Sequence, residues 1–139
     1  MNWLKPFTML AGAALAVPAL GAAQRPAALA VTSGGLWEMT GVPGAKVPVR
    51  MCVADTAALA QFEHRGQICT RLVISDTPTA AVIHYTCPGG GFGRSKLTVV
   101  TPRSLRIETQ GISGNLPFNY VLQARRVGEC GPHQSANRH

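Results

Sequence analysis

Four cysteines are the residues of this chain with the most definite covalent chemistry. Cys52, Cys69, Cys87 and Cys130 are separated by 17, 18 and 43 positions. Structural zinc sites commonly use close pairs such as C-x₂-C, and dithiol redox catalysis uses the same spacing, which none of these cysteines shows. An even number of widely spaced cysteines in a small exported domain instead indicates structural disulfides. We therefore expect two disulfide bonds and no metal ion.

Three pairings of these cysteines are possible. We favour Cys52 with Cys69, because this pair flanks a predicted helix, and Cys87 with Cys130, because this bridge would tie the middle of the domain to its end. Each bridge would remove about 3–4 kcal/mol of unfolded-state entropy in the chain-entropy model. For a domain of this size, that is a large share of the net stability.

His84 and Ser95 are the residues that could serve a hydrolase as general base and nucleophile. His84 is predicted to lie in a strand on the face opposite Tyr85. No G-x-S-x-G elbow accompanies Ser95, and the six acidic residues of the chain include no obvious glycosidase pair. We therefore expect no catalytic residues. A hydrolase built on His84 and Ser95 stays as an alternative, and it requires both side chains on one face.

The glycine-rich segment of residues 87–94 could hold a phosphate through exposed backbone N–H groups. A P-loop, however, has Gly-Lys-Ser/Thr entering a helix, and the dinucleotide fingerprint joins a strand to a helix. The segment here joins two predicted strands. We interpret it as a hairpin connection, because glycine is the residue that tight turns require, and we expect no cofactor.

Trp37, Phe118 and Tyr120 are the aromatic residues that could bind a ligand. If the strands closed into a barrel, these three side chains could line a cavity for a small apolar or lipid-like molecule. Only 6% of the chain is aromatic, so a role in core packing is the simpler interpretation. A carrier of such a ligand is the second functional hypothesis.

The elements that must position these residues are short strands. Apolar and polar residues alternate with a period of two in seven segments, and Pro48 places the second of them at a sheet edge. One helix of about nine residues follows Asp55, its N-cap, and ends at Gly66. The predicted fold is mainly β, an antiparallel meander forming a small sandwich or open barrel with one short helix and braced by disulfides. The alternating pairs are Trp37/Met39, Val49/Met51, Leu72/Ile74, Val82/His84, Leu97/Val99, Leu105/Ile107 and Leu122/Ala124.

The first segment of the chain has the pattern of a secretory signal peptide. A single Lys5 precedes an apolar stretch that is broken by Pro18, too short for a membrane-spanning helix. We expect cleavage after Ala23, or else after Ala30, and export to the periplasm by the general secretory route. The predicted organisation is a signal peptide at 1–23, a flexible lead-in at 24–33, a single β-rich domain at 34–130 and a disordered tail at 131–139.

The charge of the chain is strongly basic, with 13 Lys and Arg against 6 Asp and Glu. The basic residues are dispersed along the sequence and are not interleaved with aromatic residues, which argues against nucleic acid as a partner. An excess of positive charge favours solubility and a weak attraction to anionic polymers of the cell envelope. The sequence leaves the partner unidentified, with an anionic envelope component and a small apolar ligand as the two candidates.

The chain carries, in order, the motifs Gly35-Leu36-Trp37-Glu38-Met39-Thr40, Met51-Cys52-Val53, Cys69, Tyr85-Thr86-Cys87 and Cys130. Together these motifs resemble a family of small exported proteobacterial proteins that is known only as a domain of unknown function. The resemblance covers about residues 34–130, and the segment between Thr40 and Cys52 is shorter and poorer in Met than in that family. It implies a Gram-negative periplasmic location, a small disulfide-linked β-rich domain and no catalytic residues. We expect a periplasmic, non-enzymatic binding or envelope-accessory protein.

Overall fold

A computed structural model describes residues 11–16 and 25–132 of the chain. Residues 11–16 are exposed and have no regular secondary structure. Most of the predicted signal peptide, and the predicted tail from residue 133 onward, lie outside the described residues. The elements are η1 (Ala27–Val31), β1 (Gly35–Thr40), β2 (Val49–Val53), η2 (Thr56–His64), β3 (Thr70–Asp76), β4 (Ala80–Thr86), β5 (Phe92–Thr101), β6 (Ser104–Ser113) and β7 (Leu116–Gly128), where η denotes a 3₁₀ helix.

The seven strands form one antiparallel sheet in the order β2-β1-β7-β6-β5-β4-β3. Strands β3 to β7 follow one another as a meander, and β1 pairs with β7 and carries β2 to the sheet edge. The edge position predicted from Pro48 is thus confirmed. The mainly β class with one short helical segment and two disulfides is also confirmed, and the sheet is not closed into a barrel.

One face of the sheet, the inner face, carries the hydrophobic core. Side chains alternate across the pleat, so that Trp37 and Met39 of β1 are fully buried while Glu38 between them is half-buried. The helix η2 covers this face with Leu59 and Phe62, as its 3.6-residue pattern predicts. One row of the core runs straight across four strands through Ala81, Leu97, Ile107 and Leu122.

The helix predicted after Asp55 is present over the expected residues, but it is a kinked 3₁₀ helix. Asp55 acts as its N-cap, since its Oδ1 accepts from the backbone N–H of Ala57 at 2.9 Å. The backbone leaves helical geometry at Gln61, where φ is −104° and ψ is 33°. The carbonyl of Ala60 accepts a hydrogen bond from Ser95 of the sheet. Contacts to the sheet thus replace helical hydrogen bonds at the kink.

The pairing that we favoured for the cysteines is wrong, although all four form disulfides. Cys69 is bonded to Cys87, with Cα atoms 4.2 Å apart. Cys69 directly precedes β3 and Cys87 directly follows β4, and these strands form a hairpin in which Thr70 lies opposite Thr86. The two cysteines therefore meet across the open end of the hairpin. The favoured pairing of Cys69 with Cys52 was based on the helix between them and did not take this strand pairing into account.

The second disulfide joins Cys52 of β2 to Cys130, just beyond β7, with Cα atoms 5.7 Å apart. Cys52 lies opposite Leu36 of β1, and Leu36 lies opposite Gly128 near the end of β7. Cys52 and the end of β7 thus lie at the same end of β1, and the chain beyond Gly128 brings Cys130 to Cys52. The bridge links the edge strand to the last strand of the chain.

The segment of residues 24–33, expected to be a flexible lead-in, is instead packed on the domain from Arg25 onward. Leu29 of η1 is fully buried in the core. The carboxylate of Asp76 accepts from the backbone N–H groups of Ala27 at 2.8 Å and Ala28 at 3.4 Å. An acceptor at the start of a helical turn satisfies N–H groups that have no intrahelical partner. The ordered domain therefore begins before residue 34.

Candidate functional site

His84 and Ser95 lie on opposite faces of the sheet and cannot form a catalytic pair. In the β4–β5 ladder His84 is opposite Arg94, so both side chains project from the outer face. Ser95 is fully buried on the inner face. Its hydroxyl donates to the carbonyl of Ala60 and lies 2.7 Å from the hydroxyl of Thr109. The hydrolase built on these two residues is rejected, and Ser95 holds η2 on the sheet.

The three aromatic residues considered for a ligand cavity are not brought together. Trp37 is fully buried, and its Nε1 donates to the carbonyl of Ser33 at 3.1 Å. Strand β1 ends at Thr40, opposite Gln123 of β7, and Phe118 and Tyr120 lie farther along β7 beyond that end. Together with the open sheet, this arrangement leaves no barrel interior lined by the three rings.

Phe118 and Tyr120 instead belong to an inner-face polar cluster at the end of η2. The hydroxyl of Tyr120 donates to Glu63 Oε2 at 2.6 Å, and the Tyr85 hydroxyl lies 3.0 Å from His64 Nδ1. The ring of His64 contacts those of Tyr85 and Phe118, with centroids 5.4 Å and 6.0 Å away. His64 Nε2 is buried and has no hydrogen-bond partner within the described residues.

Both tyrosines of this cluster are held in their neutral form. Burial, followed by the hydrogen bond to the Glu63 carboxylate, raises the pKa of Tyr120 well above its usual range. Burial and the nearby charge of Glu63 raise the pKa of Tyr85 in the same direction. The neutral phenol of Tyr120 donates a hydrogen bond to Glu63, and that of Tyr85 shares one with His64, so that both tyrosines anchor the last turn of η2. Sequence reasoning missed this cluster, whose only local signal was a histidine and a glutamate on the short helix.

Glycines make room for the aromatic rings of the cluster. A Cβ atom on Gly93 would lie 2.5 Å from the ring of Tyr85. One on Gly111 would overlap the backbone carbonyl oxygen of Phe92 and would lie 2.9 Å from the ring of Phe118. Gly91 packs against the ring of His64 in the same way. Residues 87–91 join β4 to β5, so the predicted hairpin connection is confirmed, but residues 92–94 already belong to β5 and pair with β4.

On the outer face, the same strands form a shallow concave surface of about 610 Å³, here named the outer bowl. A row of four polar side chains crosses it, since His84 is opposite Arg94, Arg94 opposite Gln110, and Gln110 opposite Asn119. The ring of Phe92, diagonal to His84, lies nearly parallel to the imidazole at a centroid distance of 6.3 Å. The outer-face residues of the bowl are His84, Phe92, Arg94, Gln110, Ile112, Pro117 and Asn119.

An arginine cluster lines a second shallow concavity, of about 630 Å³, toward the opposite end of the strands. Glu38 accepts ion pairs from Arg50 at 3.2 Å and from Arg125 at 3.7 Å. Arg103 is exposed and forms no ion pair with any described residue. The cluster comprises Arg50, Arg103, Arg125 and Arg126, with Glu38 as the shared carboxylate and the hydroxyls of Thr101 and Ser104 nearby.

Metal sites and membrane-spanning helices are both absent from the part of the chain that the structure describes. No group of three or more His, Cys, Asp or Glu side chains there could hold a metal ion. No helix there is both long enough and apolar enough to cross a membrane. The outer bowl and the arginine cluster are two concave surfaces that could bind a partner.

No protein-family model, no curated protein sequence and no solved structure matches this chain. A function therefore has to be inferred from the chemistry of the two outer-face surfaces, which both present basic side chains to solvent.

Proposed function

We propose that this chain is an exported, non-enzymatic protein that binds an anionic component of the bacterial envelope through the outer face of its sheet. Its two disulfides are typical of proteins in oxidising compartments. The signal-peptide pattern of residues 1–23 and the resemblance to small periplasmic proteins support the same location. The proposal places the protein where phosphate-bearing and carboxylate-bearing polymers are abundant.

The unequal charge of the outer face is the observation that carries this proposal. Because side chains alternate across the pleat, the inner face takes the apolar residues and the outer face takes most charged ones. Five basic side chains project from the outer-face positions of the strands against two acidic ones. A surface with this balance attracts polyanions. The basic residues are Arg50, Arg94, Lys96, Arg106 and Arg125, and the acidic ones are Glu38 and Glu108.

The arginine cluster provides the strongest local attraction. Arg50 and Arg125 share the single carboxylate of Glu38, and Arg126 is engaged with Glu129 and the carbonyl of Gly34. Arg103, at the turn between β5 and β6, adds a further guanidinium. The planar guanidinium fork matches the oxygens of phosphate and carboxylate groups. An anion bound in this concavity would accept hydrogen bonds from the arginine side chains, which outnumber the carboxylates available to them there.

The inner-face polar groups support a binding role rather than catalysis. Ser95, the buried hydroxyl that could have been a nucleophile, is committed to the Ala60 carbonyl. The phenols of Tyr85 and Tyr120 stay protonated because burial raises the pKa of each. These groups hold η2 against the sheet, which leaves the outer face as the surface available to a partner.

The proposal is tested by measuring how the chain, produced in an oxidising compartment, binds polygalacturonate and phosphatidylglycerol vesicles. These probes share negative charge but represent glycan and lipid sources. Arg103→Gln should weaken binding at least three-fold for whichever of the two probes binds the unaltered protein. Lys46→Gln, which removes the same charge from an exposed loop, should change that binding less than two-fold. Binding should also weaken at least ten-fold between 50 and 300 mM NaCl, as ionic contacts are screened.

Two results would overturn the proposed function. One is a failure of both anionic probes to bind at low salt. The other is equal weakening by Arg103→Gln and Lys46→Gln, because this would mean that only the net charge of the molecule matters.

A further inference from the structure

We propose that the outer bowl is a subsite for a sugar ring, so that the anionic component bound by this protein is an acidic glycan. This inference rests on the proposed function and adds the class of ligand. It follows from the two parallel rows of side chains that form the bowl, one polar and one apolar.

The polar row offers four hydrogen-bonding groups in a line. His84, Arg94, Gln110 and Asn119 are direct neighbours across β4, β5, β6 and β7, so that successive side chains are about 5 Å apart. None of these side chains forms a hydrogen bond or ion pair with another described residue. Amides can both donate and accept, which suits hydroxyl groups, and the guanidinium of Arg94 suits a carboxylate or a phosphate.

The apolar row runs beside the polar row, two residues farther toward the end of the sheet. Phe92 is opposite Ile112, and Ile112 is opposite Pro117. The rows are about 7 Å apart, because each strand rises about 3.4 Å per residue. The Phe92 side chain is 41% exposed, unlike the fully buried Tyr85 and Trp37. A pyranose ring has an apolar C–H face and a rim of hydroxyl groups, and it can place these two surfaces on the two rows together.

The remaining outer face connects the bowl to the arginine cluster. Along β6, Gln110 of the bowl and Ser104 beside the cluster are six residues apart, which corresponds to about 20 Å of strand. Lys96 and Arg106 project from the face between them, together with Glu108, which forms an ion pair with Arg106 at 2.7 Å and leaves Lys96 as the basic side chain without an ion pair to a described residue. A chain of several sugars that carries acidic groups can thus follow the strands from the bowl to the cluster, with basic side chains along the way.

The experiment compares the binding of three probes: hexagalacturonate, the neutral maltohexaose, and a seven-nucleotide oligothymidylate. Isothermal titration gives the affinities, and amide NMR shifts of residues 92–94 and 110–112 report occupation of the bowl. We expect hexagalacturonate to bind at least ten-fold more tightly than either other probe and to shift those amides. Tighter binding of the oligothymidylate would overturn the proposal in favour of nucleic acid.

Substitutions in the bowl separate this inference from the proposed function. Phe92→Ala should weaken hexagalacturonate binding at least five-fold. The double variant with Gln110→Ala and Asn119→Ala should weaken it at least ten-fold. Val100→Ala removes an exposed apolar side chain of β5 outside the bowl and should change binding less than two-fold.

Three outcomes distinguish the two proposals. If Arg103→Gln weakens hexagalacturonate binding and the bowl variants do not, the sugar subsite is wrong and the anionic binding face stands. If phosphatidylglycerol vesicles bind and hexagalacturonate does not, the sugar subsite is again wrong and the proposed anionic binding face stands. If no anionic probe binds, both proposals fail.

Discussion

At the scale of single residues, two glycines on the inner face lie next to aromatic residues of the neighbouring strands. The register places Tyr85, Gly93, Gly111 and Phe118 side by side on four successive strands. The two glycines carry no side chain, and the rings on either side lie over them. Ring contact with bare backbone in this way protects glycine positions in a sheet, where glycine otherwise weakens strand packing.

Gly93→Ala should therefore destabilise the protein by about 1–3 kcal/mol, because its new Cβ would overlap the ring of Tyr85 in a filled core. Gly128→Ala is the matched control, since a Cβ there has no heavy atom within 4 Å. The control should be neutral, or stabilising by up to about 1 kcal/mol, as the unfolded chain loses freedom. Urea denaturation measures both changes. Equal free energies of unfolding for the two variants would contradict the steric explanation.

The two tyrosines of the inner-face polar cluster predict how stability depends on pH. Burial raises the pKa of Tyr85 and Tyr120 in the folded protein above the usual value of 10.0. Below pH 10 both phenols are protonated in both states, so their contribution is fully present. Above pH 10 the unfolded chain ionises first, and the free energy of unfolding should fall by about 1.4 kcal/mol per pH unit for each tyrosine.

Urea denaturation at intervals from pH 8 to pH 12 measures this loss. The chain contains only these two tyrosines, so a variant with Tyr85→Phe and Tyr120→Phe should have a markedly shallower fall above pH 10. An unchanged slope in that variant would mean that other groups cause the alkaline loss of stability.

At the scale of elements, η2 is held by polar contacts at its kink as well as by apolar packing. Leu59 and Phe62 lie in the core, and this much was predictable from their spacing. The hydrogen bond from Ser95 to the Ala60 carbonyl was not, because Ser95 lies on β5, 35 residues farther along the chain. Hydrophobic periodicity in the sequence indicates which face of a strand or helix is buried. It does not indicate which polar group of another element that face contacts.

Ser95→Ala should destabilise the protein by about 1–3 kcal/mol, because it leaves the buried carbonyl of Ala60 without this donor. Ser75→Ala is the control, because Ser75 is exposed on β3 and its side chain forms no hydrogen bond with a described residue; it should change stability by less than about 0.5 kcal/mol. Thermal unfolding followed by circular dichroism compares them. If both variants unfold at the same temperature, Ser95 does not anchor η2.

At the scale of the whole molecule, the two disulfides close loops of very different length. The bridge from Cys52 to Cys130 spans 78 residues, and that from Cys69 to Cys87 spans 18. The first ties the edge strand β2 to the end of the chain, and the second closes one hairpin. In the chain-entropy model these bridges stabilise the fold by about 4.5 and about 3.2 kcal/mol, respectively.

Replacing Cys52 and Cys130 by Ala should therefore destabilise the protein by about 1 kcal/mol more than replacing Cys69 and Cys87. Each double variant loses one buried and one half-buried sulfur, so that the packing losses are comparable. Denaturant unfolding of the two variants measures the difference. Peptide mapping without reductant should recover fragments that join residue 52 to 130 and residue 69 to 87, and recovery of 52 with 69 would contradict this connectivity.

The sequence by itself determined the local features of this protein. It predicted the strands, the N-cap at Asp55, the hairpin in the glycine-rich segment and the edge position of β2, because each depends on neighbouring residues. It also indicated that all four cysteines form disulfides, since their number and spacing suit no other chemistry. The pairing of the cysteines depends on the tertiary structure, because strand pairing brings Cys69 next to Cys87 and places Cys52 and the end of β7 at the same end of β1. It also separated His84 from Ser95 and brought the outer bowl together, since strand register joins residues that are distant in the chain.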